Sequence, residues 1–268
     1  MTVDSDISQA EQADELAALK TQFLASLNHE VRTPLTGILG MTDLLLETSL
    51  TEEQKEYVAT ARNCADELLA LFTKTLDFSE ISAGRLCLSP QEMHLAEAIQ
   101  SAAAGFTAKA GEKGLSLGCE IAGTLPDTVI GDAARLQQII SHFLDNAIKF
   151  TDRGRVDVTA SGSLQKEHFT LSLSVRDTGI GIEKDRLNSV FEAFHQLDTG
   201  LARGYNGLGL GLSLVQQLTR RMGGEVLVES EPGKGSRFTA TIPMPLPPDD
   251  VERRPERPAS GSEDAASK

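Results

Sequence analysis

LAALKTQFLASLNHEVRTPLTGILGMTDLLLETSLTEEQKEYV, residues 16–58, is the stretch on which the fold turns. Within it Leu16, Leu19, Phe23, Leu27, Val31, Leu35, Ile38 and Leu45 recur at steps of three, four or seven, the apolar stripe of one helix over about 13–47. A second helix opens after Thr51, an N-cap followed by acidic residues in the first turn. It runs to about Ser82 with Val58, Ala61, Ala65, Leu68, Leu69, Phe72 and Leu76 along it. The connection ETSLT is too short for anything but an antiparallel hairpin. One hairpin cannot cover its own stripe, whereas two hairpins from two chains share a four-helix core, so a homodimer is expected.

Working outward, Ser82-Ala83-Gly84 ends the second helix and Pro90 follows, which places a linker at 83–92 between a helical domain at 13–82 and a second domain at 93–247. In the second domain helix-like segments at 94–110, 132–150 and 207–222 alternate with the short strand-like runs LSLGCEI, RVDVTASG, HFTLSLSVRD, GEVLVES and RFTATIP. Hairpin-like turns separate those runs, which favours an α+β two-layer sandwich over a parallel doubly wound sheet. The ends, 1–12 and 248–268, are polar, charged or rich in Pro and Ser, and read as tails that do not pack.

Composition narrows the function classes. Lys and Arg number 25 against 39 Asp and Glu, and the net charge of −14 repels nucleic-acid phosphates and anionic lipid headgroups, so no nucleic-acid partner is expected. No apolar run approaches the roughly 20 residues of a membrane span, and the start MTVDSDISQAEQADE is acidic where a signal peptide is basic then apolar. The expectation is a cytoplasmic chain without direct membrane insertion. Cys64, Cys87 and Cys119 are odd in number, widely spaced and without a CxxC pair, which suits reduced core thiols rather than disulfides or a zinc site.

Four stretches carry chemistry. In FLASLNHEVRTPL, His29 lies about 200° round the helix from both Leu27 and Val31, so it points away from the core stripe. Glu30 is adjacent, able to hold the imidazole tautomer and accept its proton while the other nitrogen attacks phosphorus, and Thr33 is one turn on. Pro34 cannot donate to the Glu30 carbonyl, so the helix should bend or loosen there. In FLDNAIKFT, Asn146 and Lys149 share a helix face, pairing an oxygen ligand for Mg²⁺ with an ammonium for phosphate oxygens. In VRDTGIGI, Asp177 emerges where a strand stops and can accept from an exocyclic amine, while Gly179 and Gly181 let the backbone pass close to a flat ring. In GYNGLGLGLSLVQQL, Gly207, Gly209 and Gly211 precede a helix whose bare amides suit phosphate, without the GK[ST] of a Walker loop. Singly, each stretch also reads as a surface histidine, an amphipathic helix, a turn or a glycine-rich helix start.

Together and in this order they resemble the sensor histidine protein kinase family over about residues 15–245. HEVRTPL is similar to its H box, FLDNAIKF to its N box, DTGIGI to its first glycine box, FEAF (Phe191 to Phe194) to its F box, GLGLGL to its second glycine box, and GKGSRF to a closing hairpin. The resemblance implies a dimerisation and phosphotransfer hairpin followed by an ATP-binding sandwich of the kind shared with Hsp90, gyrase and MutL. It implies ATP and Mg²⁺ as cofactors, autophosphorylation of His29, and transfer to an aspartate of a response-regulator receiver domain. By motif position Glu30 is the acid–base partner and Thr33 the residue that positions water for partner dephosphorylation. Asn146 is the Mg²⁺ ligand, Asp177 the adenine-binding acid, and Lys149, Phe194 and the glycines are nucleotide contacts. The stretch from about Glu183 to Asn206 resembles the mobile lid, with Arg203 a candidate γ-phosphate contact.

One position departs from the family. It commonly has Asn four residues before the N-box asparagine, where this chain has His142. An imidazole there can still bind Mg²⁺-bound water, or it can weaken nucleotide use and leave a scaffold that binds a response regulator without phosphorylating. A gyrase- or MutL-like ATPase shares the nucleotide boxes but has no need of HEVRTP on a preceding hairpin.

Overall fold

The computed structural model describes residues 30–83, 86–123, 125–165, 168–194 and 209–248. His29, Arg203, Gly207, the stripe residues before 30, the tail expected at 1–12 and all but the first residue of that expected at 248–268 lie outside the described residues.

Helix α1 covers 30–46, continuing through Pro34, and α2 is Glu52–Ser82. Thr51 caps α2 as the sequence suggests, and Gln54 makes the arrangement reciprocal: Thr51 Oγ1 accepts from Gln54 N, and its own N–H donates to Gln54 Oε1. The two helices fold back on each other, and Arg62 Nε meets Asp43 Oδ1 at 2.7 Å across the hairpin. Within a single chain the stripe is only partly covered. Leu35, Ala65 and Leu76 are buried, while Ile38, Leu45 and Leu68 remain 47%, 45% and 43% exposed. Burial along α2 rises towards its C-terminal end, where Leu76 and Ile81 are buried and Phe78 packs on the core of the following domain.

That domain is a mixed five-stranded sheet with helices on one face. Its strands are β2 (Ser116–Ile121), β4 (Arg155–Gln165), β5 (His168–Asp177), β6 (Glu225–Glu231) and β7 (Gly235–Pro245), in the spatial order β2-β4-β5-β7-β6. Only the β2–β4 pair is parallel. The alternating residues Phe169, Leu171, Leu173 and Val175 of β5 and Phe238, Ala240, Ile242 and Met244 of β7 turn inward against α3 (Leu95–Ala104), α5 (Ala133–Phe150) and α6 (Gly211–Arg221). Period-two strands over amphipathic helices thus give the two layers, and the core lies between them.

Three details differ from the sequence reading. The helix expected at 94–110 divides at Gly105 and Phe106 into α3 and the short α4 (Thr107–Glu112), with a turn closed by Phe106 N onto Ala103 O at 3.0 Å. A small two-stranded sheet, β1 (Gln91–His94) with β3 (Thr128–Gly131), was not anticipated, because four-residue strands are too short to show a period. The cysteines are not core thiols. Cys64, Cys87 and Cys119 are all exposed, lying on the outer side of α2, between α2 and β1, and on edge strand β2. Thiol count and spacing carry no information about which face a residue occupies.

Candidate active site

The site is assembled from the C-terminal half of α5, the loop after β5, the β6–β7 turn and the start of α6. Helix α5 begins at Asp132, whose Oδ1 accepts from Arg135 N at 3.1 Å, and its last turns carry His142, Asn146 and Lys149 on one side. Helix α6 begins with Gly211, and a methyl group there would lie 3.7 Å from His142 Nδ1 and 3.9 Å from Asn146 Nδ2. The N-terminal end of α6 thus lies beside the two polar side chains of α5. Among the described residues no side chain caps α6, so its first amides point into the same space, and the preceding Gly209 has φ +68°, a left-handed value that suits glycine.

On the other side stands Asp177, the last residue of β5 and 5% exposed. Gly179 N donates to its Oδ1 at 2.8 Å and Ser236 N at 3.2 Å. Both bonds fall on Oδ1, which leaves Oδ2 for a ligand's donor. Burial pushes the carboxyl above the ordinary carboxylate range, and the two amides pull it back. The glycines around it are places where backbone meets backbone. A side chain on Gly179 would strike the Phe150 carbonyl, and one on Gly181, at φ +71°, would strike the Glu231 carbonyl. Ile180 N donates to Phe150 O at 3.2 Å, so the DTGIG loop is tied directly to the end of α5.

His142 is 6% exposed, its Nε2 has no hydrogen-bond partner among the described residues, and burial with Lys74 nearby lowers its pKa from 6.5 to about 4, against an opposing pull from Asp145. The ring is therefore neutral at physiological pH. It also lines a cleft of about 570 Å³ between α2 and α5, with Lys74, Asp77, Gln138 and Asp145 around it. Lys149 sits 5.0 Å from the Phe150 ring centre, and burial, then Lys74, lowers its pKa. Phe194 has φ 63° and packs edge-on against Phe78 of α2 at 5.7 Å. Glu30 and Thr33 are exposed on α1.

The structure thus brings His142, Asn146, Asp177, Gly179, Gly181, Gly209 and Gly211 into one region. Ser236 was missed as an Asp177 partner, although it lies in the GKGSRF stretch singled out from the sequence.

Residues 131–246 match the family described as histidine kinase-, DNA gyrase B- and HSP90-like ATPases, and residues 19–84 match the His Kinase A (phospho-acceptor) domain. The chain belongs to the sensor histidine kinase family. Among named relatives, the signal transduction histidine-protein kinase BarA of Escherichia coli K12 is 38% identical over 94% of this chain and 28% of its own length. The sensor histidine kinase GacS of Pseudomonas protegens is 38% identical over 97% of this chain and 28% of its own. The sensor histidine kinase RcsC of Escherichia coli K12 is 39% identical over 88% and 24%. The chain spans about a quarter of the length of these curated relatives. Among solved structures, full-length ShkA in complex with AMPPNP superposes with a TM-score of 0.70 at 37% identity, covering 84% of this chain and 46% of that one. The Acinetobacter baumannii histidine kinase AdeS shares the fold, with a TM-score of 0.54 at 19% identity over 81% and 98% of the two chains. No helix among the described residues is long and apolar enough to cross a membrane.

Proposed function

We propose that this histidine kinase chain binds Mg²⁺–ATP between α5, the Asp177 loop and α6, phosphorylates its own His29, and passes the phosphoryl group to an aspartate of a response-regulator receiver domain. The observation that carries the reading is the approach of Gly211, at the uncapped start of α6, to Asn146 on α5, opposite a buried Asp177 with one carboxylate oxygen still to be used. A carboxylate for an exocyclic amine at one end, and amides and an amide side chain for phosphates at the other, are the two things an adenine nucleotide needs. Full-length ShkA, solved with AMPPNP, supports the same use of this fold.

Asp177 accepts from the adenine amine, Asn146 offers its carbonyl oxygen to Mg²⁺, and Lys149 with the amides of Gly209 and Gly211 balances phosphate charge. Gly207, Phe194 and Arg203 complete the cofactor-binding set proposed from the sequence. Bound Mg²⁺–ATP supplies an electrophilic γ-phosphorus with its charge already partly neutralised. The chain's own work is alignment: one imidazole nitrogen of His29 forms the N–P bond as the bond to ADP breaks, and Glu30 takes the proton from the other nitrogen. Thr33 orients water when the phosphorylated partner is hydrolysed. His142, neutral and buried, fits a contact to Mg²⁺-bound water rather than to phosphate directly.

The division into a phosphotransfer hairpin at 13–82, a linker at 83–92 and an ATP-binding domain at 93–247 belongs to this reading, as does a cytoplasmic setting. So does the homodimer, which the half-exposed Ile38, Leu45 and Leu68 support. Incubation with γ-labelled ATP and Mg²⁺ is expected to give acid-labile, base-stable label that disappears in His29→Gln. Nucleotide bound without label on wild type would sink the kinase and favour a second reading, a scaffold whose chemistry His142 has weakened; the unpartnered Nε2 is the observation on its side.

A further inference from the structure

We propose that Lys113, outside every motif of the site, is a positioning residue for the nucleotide: it caps the C-terminal end of α5 and so fixes Asn146 and Lys149 relative to the Asp177 loop. The inference rests on the nucleotide reading above.

Helix α5 ends without a main-chain cap. Thr151 leaves it in an extended conformation, φ −109° and ψ 117°, so the last carbonyls have no left-handed turn to close on. Lys113 takes them instead. Its Nζ donates to Ile148 O at 2.8 Å, Lys149 O at 3.0 Å and Thr151 O at 3.2 Å, and Asp152 Oδ1 stands 4.0 Å away. The remaining carbonyl of that turn, Phe150 O, accepts from Ile180 N in the Asp177 loop, and Gly179 packs against it. The end of α5 is therefore held from two sides, by one ammonium and by the loop that carries the adenine-binding acid.

An ammonium at this place also faces the negative end of the helix dipole, where a cation is stabilising. The residue is delivered by a fixed turn: Lys113 closes α4 through its N–H to Ala110 O at 3.1 Å, and Leu115 N returns to Ala110 O at 2.9 Å before β2 begins. Loss of the ammonium would leave three carbonyls to water one turn from Asn146. The last turn of α5 would then fray, and with it the spacing between the phosphate-facing and adenine-facing halves of the site.

The test compares Lys113→Met, which keeps the stem, with Lys113→Arg, which keeps the charge and several donors. Asp132→Ala serves as a control that removes the cap at the opposite end of the same helix. Nucleotide affinity is read by fluorescence with a labelled ATP analogue, alongside thermal unfolding of each protein. Lys113→Met is expected to weaken binding on the order of tenfold, as befits lost charge-assisted hydrogen bonds. Lys113→Arg should stay within about threefold, because its fork still reaches carbonyls. Asp132→Ala should lower the melting temperature at least as much as Lys113→Met while leaving affinity close to wild type. In autophosphorylation, KM for ATP should rise in Lys113→Met with kcat nearly kept. A folded Lys113→Met that binds like wild type, or an Asp132→Ala that loses affinity equally, overturns the positioning role and leaves the nucleotide reading standing. A wild type that binds no nucleotide overturns both.

Discussion

At the scale of single residues, His142 and Asp177 show how burial chooses a protonation state before any ligand arrives. His142 resists protonation until about pH 4, whereas the same side chain in the unfolded chain takes its proton near 6.5. Its folded pKa is depressed, so the stability it contributes is present above 6.5 and is lost as pH falls towards 4. The gap corresponds to roughly 3 kcal/mol at most. Denaturant titrations at pH 7 and pH 4.5 should therefore show a loss that His142→Asn removes in large part; an equal loss in both proteins would mean that other groups set the acid sensitivity. Asp177 behaves in the opposite sense. Its carboxyl is raised by burial, so nucleotide affinity should fall as pH drops through that raised value, and Asp177→Asn should bind the labelled ATP analogue at least about tenfold more weakly at neutral pH, an amide being a poorer acceptor for an amine. Binding unchanged in Asp177→Asn would place the adenine elsewhere.

At the scale of elements, legibility followed the strength of the local signal. The cap of α2 could be read from Thr51 and the acidic residues after it because an N-cap is a matter of neighbours in sequence. Helix α5 and strand β5 showed their period over ten residues or more, and their bounds came out close to the reading, while β4 runs three residues past RVDVTASG. The site was legible wherever a glycine had a backbone partner, since Gly179 and Gly181 stand where a side chain would collide with a main-chain carbonyl. What stayed hidden was long-range. Nothing local to EKGLSL announces that Lys113 reaches the end of a helix 35 residues further on. The cap itself makes a stability prediction: Thr51→Ala should cost about 1 kcal/mol, read as an earlier denaturant midpoint with unchanged slope. A loss confined to the ATP-binding domain's transition would show that the cap does not act on the hairpin.

At the scale of the whole molecule, the hairpin and the sandwich meet along one seam, and its position bears on how phosphoryl transfer is gated. Gln138 Nε2 donates to Asp77 Oδ2 at 2.7 Å, Ser82 Oγ donates to Gln217 Oε1 at 3.2 Å, and Lys74 lies 3.9 Å from Asp145. Phe78 meets Phe194, midway along the stretch between the glycine boxes, in the same region. The Asp43–Arg62 pair sets the hairpin register, so counting back along α1 and forward along α2 puts Glu30 roughly level with Thr75, in the α2 stretch that bears the seam. The sandwich is thus parked at the end of the hairpin where transfer is proposed, held by these polar contacts together with Ile81 and Phe78 of α2, which pack into its core. Transfer that needs the sandwich to swing from α2 towards α1 must first break those contacts, and their strength then subtracts from the rate. Two hydrogen bonds of ordinary net worth correspond to on the order of tenfold in such an equilibrium. The double variant Gln138→Ala with Gln217→Ala removes both from the sandwich side without touching the hairpin or the nucleotide contacts. It should autophosphorylate severalfold faster at saturating ATP with unchanged nucleotide affinity, measured by initial rates of label incorporation. A slower rate at equal affinity would mean that the seam is the transferring arrangement itself, and that α2 guides the nucleotide to His29 instead of holding it back.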